Sequence, residues 1–232
     1  MNQTGDKHMK KSFQLKSLVL SMAVAGAASL AVVPATSQAG VSANIGAVSN
    51  YIFRGVEQTE SASASAGLDY ENDSGFYLGT WVADVETGLE YDLYGGWSGS
   101  IGEVSLGLGA TTFRYTDTAF DYPYNEVNAS LGYGMFTIGY DKGVYEDPAG
   151  DIDYDHKYIG VEYGSFGVTV GMLDGDLDAD DDALTYVDVG YSTELSAGLE
   201  GSVTYTYVSP EDSDLDSDTF LVFGVSKSFD IM

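Results

Sequence analysis

The chain is short of three things once its first 39 residues are set aside. It has no cysteine, so no disulfide can brace it; a barrel in an oxidising space needs none, and the absence does not fix the redox compartment. It has few positive charges. Residues 40–232 hold five basic against 35 acidic side chains, a net charge of −30. A field of that sign disfavours nucleic acid and anionic headgroups and favours cations. It also has no stretch after Gly40 long and apolar enough for a membrane helix. Acidity alone would suggest disorder, but 13% aromatic residues and frequent β-branched ones require a packed fold.

The first 39 residues differ in kind. Lys10, Lys11 and Lys16 precede an apolar run over residues 18–33, and the segment PATSQA ends in Ser37, Gln38 and Ala39, a small-x-small pattern suited to signal peptidase. Ser21, Gly26 and Ser29 interrupt the run and no stop-transfer charges follow it, which favours a cleaved signal peptide over an anchor. Met9, followed directly by two lysines, has the form of a leader start. The expected organisation is a signal peptide over 1–39 and one domain over 40–232.

That domain repeats segments of roughly ten residues, rich in Gly, Val, Leu and Tyr and closed by turn signals. About twelve strands are predicted, near 42–55, 62–72, 75–85, 89–98, 102–115, 124–133, 135–143, 156–163, 166–173, 183–191, 197–208 and 218–229. In EVSLGLGATTFRY, Val104, Leu106, Leu108 and Ala110 share one face while Glu103, Ser105, Gly107, Gly109 and Thr111 share the other. A soluble antiparallel sheet and an outer-membrane barrel both give this alternation.

Four features favour the barrel. Short turns such as ENDSG and GSIG alternate with longer acidic stretches such as TDTAFDYP, EDPAGDIDYD, DGDLDADDD and SPEDSDLDS, the rhythm of periplasmic turns and external loops. Aromatic residues gather near segment ends, among them Tyr51, Phe53, Phe76, Phe113, Tyr115, Tyr124, Tyr205 and Tyr207, as in interfacial girdles. Charges fall mostly on the polar face, with Glu90 and Asp92 opposite Leu89, Tyr91 and Leu93. The chain also closes on TFLVFGVSKSF, an alternating strand with a near-terminal Phe229, of the kind that barrel-assembly machinery recognises. Together they predict an all-β fold, a transmembrane antiparallel up-and-down β-barrel of about 12 strands, in the outer membrane of a Gram-negative bacterium.

Several words have a more specific likeness. SNYIFRGVEQT, GLDYENDSGFYLGTW, EYDLYGGWSG and the closing VSKSF resemble the proteobacterial family of porin-like proteins called Gcw_chp or TorF-like, and the resemblance runs over essentially the whole domain. Glu57 stands where the family has a Ser, and Lys227 where a closing strand is usually apolar. The resemblance implies an outer-membrane barrel with a channel role; it supplies no substrate and no catalytic residue.

Parity from the apolar partners points Arg54, Asp69, Glu90, Asp92, Glu103, Glu126, Asp141, Glu162, Asp188 and Glu200 into the lumen. Carboxylates in a confined aqueous path attract cations and repel anions. They could equally cross-brace a bore of this strand number, filled by its own side chains. Tyr51 and Phe53 are expected to face lipid, and Arg54 to reach a carboxylate through a bidentate pair. The acidic run over residues 174–182 spaces Asp174, Asp176, Asp178 and Asp180 by two, but Ala179 and Thr185 stand where an EF-hand needs Gly and Glu. These four are candidates only for weak divalent-cation binding.

His156, after Asp151, Asp153 and Asp155, invites an Asp–His hydrolase reading, but no further catalytic device accompanies it. No enzyme and no cofactor are expected. The expected partners are outer-membrane lipid and lipopolysaccharide, the assembly machinery, and divalent cations, without nucleic acid. Two functions fit: a cation-preferring diffusion channel, or a surface protein with acidic cation-binding loops. The mature chain, beginning at Gly40 by N-terminal sequencing, is expected in the detergent-extracted membrane fraction; recovery from the soluble fraction without detergent would instead indicate a periplasmic β-protein.

Overall fold

The computed structural model describes residues 40–178, 181–211 and 216–231. The strands are β1 (Gly40–Val48), β2 (Ile52–Phe53), β3 (Val56–Glu57), β4 (Ser63–Glu71), β5 (Phe76–Asp84), β6 (Leu89–Ile101), β7 (Val104–Tyr115), β8 (Tyr124–Tyr133), β9 (Phe136–Tyr145), β10 (Ile152–Tyr163), β11 (Phe166–Asp178), β12 (Asp181–Ser196), β13 (Leu199–Pro210) and β14 (Asp218–Asp230). Twelve of them form one closed antiparallel barrel in which each strand from β4 to β14 pairs with its neighbour in sequence, and β1 closes the ring between β14 and β4. β2 and β3 are excluded from the wall and pair only with each other.

Closure leaves the wall no strand edge, and the period-2 pattern then sorts side chains into two surfaces. Leu78, Leu93, Leu108, Ile138, Ile159 and Leu221 are exposed on the outside. A belt of outward aromatics, including Tyr70, Phe76, Tyr133, Phe136, Tyr163 and Phe166, marks the end that carries the tight turns. Those turns are short, with Gly102, Gly134, Gly164 and Gly198 at positive φ. Phe76, Tyr205 and Tyr207 lie outward as expected of boundary aromatics. Phe113, Tyr115 and Tyr124 do not: they turn inward, Phe113 onto Phe53 and Tyr115 onto Tyr124 and Phe120. No helix among the described residues is long and apolar enough to cross a membrane.

The acidic stretch over 174–182 is less of a loop than expected. β11 runs to Asp178 and β12 begins at Asp181, with Asp178 paired to Asp181. Asp180 and the side chains of Asp176 and Asp178 lie outside the described residues, while Asp174 is exposed beside Lys157. Among the described residues, no group of three or more His, Asp or Glu is arranged to hold a metal.

Inside, tyrosine rings lie over glycines on the neighbouring strand. Tyr94 is paired with Gly79, Tyr154 with Gly143, Tyr158 with Gly139 and Tyr186 with Gly171. In each pair a Cβ on the glycine would fall within the ring's van der Waals radius. The glycines let large rings lie flat on the wall instead of projecting across the bore. Gly171→Val is therefore expected to displace Tyr186 and to destabilise the barrel by about 1–3 kcal/mol. Gly160→Ala, whose new methyl would meet its first neighbour at 3.8 Å, is expected to be neutral. Urea unfolding in detergent micelles measures both.

Candidate functional site

The first strand is shorter than its sequence pattern suggests. β1 stops at Val48, and residues 49–62 fold into the barrel, carrying the β2–β3 hairpin. The turn between these strands is Arg54-Gly55, with φ of 52° and 87°. Positive φ at both central residues is what a type I′ hairpin turn demands. Gly55 meets this readily, whereas Arg54 occupies the left-handed region at a cost of about 1–2 kcal/mol. The chain leaves the wall through Ser49 N–H donating to Phe223 O at 2.8 Å, and the neck closes where Gln58 N–H donates to Tyr51 O at 2.7 Å. Thr59 Oγ1 accepts from Tyr51 N–H at 2.9 Å.

This corrects the expected direction of Tyr51 and Phe53. Neither faces lipid: Tyr51 is buried against Ala83 and Val85, and Phe53 packs on the same cluster. The Phe53 ring also lies 5.6 Å from Phe113. A segment with two closely spaced aromatics and an arginine satisfies both by crossing the bore, where rings find a wall and the guanidinium finds acids. The hairpin tip touches the far side, since a Cβ on Gly55 would sit 3.1–3.3 Å from Tyr186, Val208 and Leu184.

Arg54 is the pin. It reaches both carboxylate oxygens of Glu126 on β8, the second at 3.1 Å, and Asp141 on β9 at 2.9 Å. Its guanidinium carbon lies 4.7 Å from the centre of the Phe53 ring. Burial opposes its charge, and Glu126 and Asp141 outweigh burial, so its pKa is raised above the ordinary value. The expected bidentate carboxylate is thus Glu126, with Asp141 as a second. Around them Tyr154 donates to Glu126 at 2.7 Å, and Asn128 donates to Glu126 at 3.0 Å and to Asp141 at 2.9 Å. On the other flank, Tyr51 donates to Glu90 at 2.8 Å. Burial, then the charges of Glu90 and Asp92, push the Tyr51 hydroxyl well above its ordinary pKa, which keeps it a neutral donor.

His156 belongs to this network and not to the acidic residues that precede it. Nδ1 lies 2.8 Å from Asp141, so it donates there while Nε2 accepts from Tyr186 OH at 2.9 Å. The ring is 0% exposed and stacked between Tyr158 and Tyr186, so neither water nor substrate reaches it. Asp155, by contrast, faces outward and accepts from Tyr140.

The other acids expected in the lumen divide by height. Glu90, Asp92, Glu126 and Asp141 lie at the hairpin level and are 1%, 6%, 3% and 5% exposed, beside Arg54 at 3%. Such values mean that the bore is filled there. Asp188 is buried and accepts from Thr206 at 2.6 Å. Asp69 lies nearer the turn end, held by Asn44 at 3.2 Å and by Tyr94. Glu200 is half-buried and Glu162 is exposed at the end of β10. Glu103 is off the strands altogether, exposed in the turn after Gly102: its neighbour Gly102 adopts positive φ, and the alternation of β7 begins one residue later, at Val104. Tyr51, Asn128, Tyr154 and Tyr186 were not among the expected lumen residues. The parity of Asn128, Tyr154 and Tyr186 with Glu126, His156 and Asp188 is the signal that marks them.

The family model described as "Bacterial protein of unknown function (Gcw_chp)" matches residues 33–229. The chain belongs to that family. Among solved structures, this Gcw_chp barrel is similar to one described as "KdgM porin", with a TM-score of 0.55 and 10% identity over 81% of this chain and 99% of that one. A NanC porin structure gives 0.54 and 8%, covering 83% and 100%. At such identity the likeness establishes the fold alone. No curated protein matches the sequence.

Arg54→Ala leaves Glu126 and Asp141 buried without their cation and is expected to cost about 3–5 kcal/mol. Adding Glu126→Gln to Arg54→Met is expected to recover part of that loss in urea unfolding, since the uncompensated charge is then removed.

Proposed function

We propose that this Gcw_chp protein is a non-enzymatic, porin-like channel of a Gram-negative outer membrane, of the proteobacterial TorF-like kind, which passes small solutes by diffusion and prefers cations. The observation that carries the reading is the inward charge balance. Among the described residues, Glu90, Asp92, Glu126, Asp141 and Asp188 face the bore on four strands against the single buried cation Arg54. Asp92 Oδ1 is buried without a hydrogen-bond partner. A bore walled by carboxylates selects cations as soon as water enters it.

The hairpin sets when that happens. With residues 49–62 in place the bore is filled at the level of Arg54; with them withdrawn, the carboxylates at that level lose their guanidinium and line a water path. Towards the turn end some inward positions are short, with Ser105 beside Gly132 and Ser202 beside Gly224, while Tyr77 lies flat over Gly96 and Gly109. Arg54 is then both brace and constriction. The second reading, a surface protein that conducts nothing, draws on the same filled level.

Single-channel recording separates them. The intact protein is expected to conduct weakly, and a variant with residues 49–62 replaced by a Gly/Ser linker several-fold more, with a reversal potential in asymmetric KCl that favours K⁺. Neutralising Glu90 and Asp92 in that variant should reduce the preference. A folded hairpin-deleted barrel with no conductance, or with chloride preference, contradicts the proposal.

A further inference from the structure

Residues 40–232 contain five basic side chains, and all five are committed away from the stretch of β6 that carries Glu90 and Asp92. Arg54 spans Glu126 and Asp141 on β8 and β9. Arg114, Lys142 and Lys157 lie outside the wall beside Glu146, Asp155 and Asp174. Lys227, at the turn end, donates to Ala197 O at 2.9 Å. His156 is held between Asp141 and Tyr186. Among the described residues, no ion pair reaches Glu90 or Asp92.

The two carboxylates are nevertheless 1% and 6% exposed. Tyr51 OH answers Glu90 at 2.8 Å. Asp92 has no such donor at Oδ1, which is buried without a hydrogen-bond partner, and Thr80 reaches only its backbone oxygen, at 2.9 Å. Glu90 and Asp92 stand two residues apart on one face of the strand, so their side chains are neighbours. An ionised carboxylate buried with neither cation nor donor is costly, and a like charge beside it raises the cost. The chain itself holds no charge that offsets it.

The surroundings state which cation fits. Asp92 lies in register between Trp81 on β5 and Phe113 on β7. The hairpin lays Tyr51 against Trp81, with ring centres 5.7 Å apart, and Phe53 against Phe113 at 5.6 Å. Carboxylate oxygens take a hard cation, and aromatic faces attract one that has shed its water. Mg²⁺ dehydrates reluctantly, and Ca²⁺ takes about six to eight oxygens, more than this carboxylate pair supplies. We infer that Glu90 and Asp92, covered by Tyr51 and Phe53, form a binding site for a weakly hydrated monovalent cation such as K⁺, which serves as the counter-ion of both carboxylates beneath the hairpin. The site deepens the cation preference proposed above and rests on the same inward acids, but it fills at equilibrium and needs no current.

Urea unfolding of the intact protein in micelles at pH 7, with KCl exchanged for N-methylglucamine chloride at constant ionic strength, reads such an ion directly. The folding equilibrium constant is expected to rise with K⁺, approaching about tenfold per tenfold increase in K⁺ near saturation. Asp92→Asn should abolish the dependence, while Asp153→Asn, at an exposed acid on β10, should keep it. Crystals grown with Tl⁺ in place of K⁺ give a readout that needs no variant, and an anomalous peak in contact with both Asp92 and Glu90 is expected. A folded state indifferent to K⁺, which a proton held in place of the ion would give, overturns the inference. So does a crystal without the Tl⁺ peak, an undiminished dependence in Asp92→Asn, or an equal effect of Mg²⁺. Each of these outcomes leaves the conductance of the hairpin-deleted barrel standing as the separate test of the channel.

Discussion

A guanidinium held between two carboxylates inside a barrel decides what the rest of this structure can be. Arg54, Glu126 and Asp141 are all nearly inaccessible to water, where isolated charges are costly and paired ones attract strongly. The hairpin that delivers Arg54 has only two residues per strand, too little to stand alone, and its turn holds an arginine at positive φ. Its position is secured from the side: the ion pair to β8 and β9, the Tyr51 bond to Glu90, and packing of Tyr51 and Phe53 on Ala83 and Val85. Removal of the ion pair removes the reason for the segment to cross the bore.

The wall accommodates this plug by keeping its own inward rows thin. Tyrosines lie over glycines, and serines and threonines occupy much of the remaining inner face, so the hairpin enters without distending the ring. In the structure the buried acids are engaged by Arg54 and the tyrosine hydroxyls; under the proposed function their release would expose an acidic lining. The filling at the hairpin level comes from the inserted segment together with inward side chains of the strands, among them Phe113, Tyr154, His156 and Tyr186.

The outer surface was legible in the sequence because a closed wall of strands imposes a strict period of two. The twelve barrel strands fall close to their expected places, and Leu106, Leu108, Tyr91 and Leu93 face outward as their spacing predicts. The segment SNYIFRGVEQT was misleading for a physical reason. Its alternation of Tyr51 and Phe53 with inward-pointing neighbours is that of a strand, and nothing in the pattern says that the wall has ended at Val48. The available signal was Arg54-Gly55, a turn dipeptide with strand-formers on each side. The acids were placed on the correct face at Glu90, Asp92, Glu126 and Asp141. Which of them would meet was beyond periodicity, since Glu126 and Asp141 converge through the β8–β9 register, in which Asp141 pairs with Asn128. His156 illustrates the same limit, with its partner 15 residues away on β9 and not among the aspartates just before it.

Brace, constriction and acidic lining all require residues 49–62 to be an ordered part of the barrel interior. Amide hydrogen exchange of the folded protein in micelles tests this most directly, because Gln58 N–H bonds to Tyr51 O and Glu86 N–H to Gln58 O only in the inserted arrangement. Protection of the peptide spanning 49–62 at a level close to that of β4 and β5 is the predicted result. Exchange as fast as that of the connecting segment over 116–123 would contradict it.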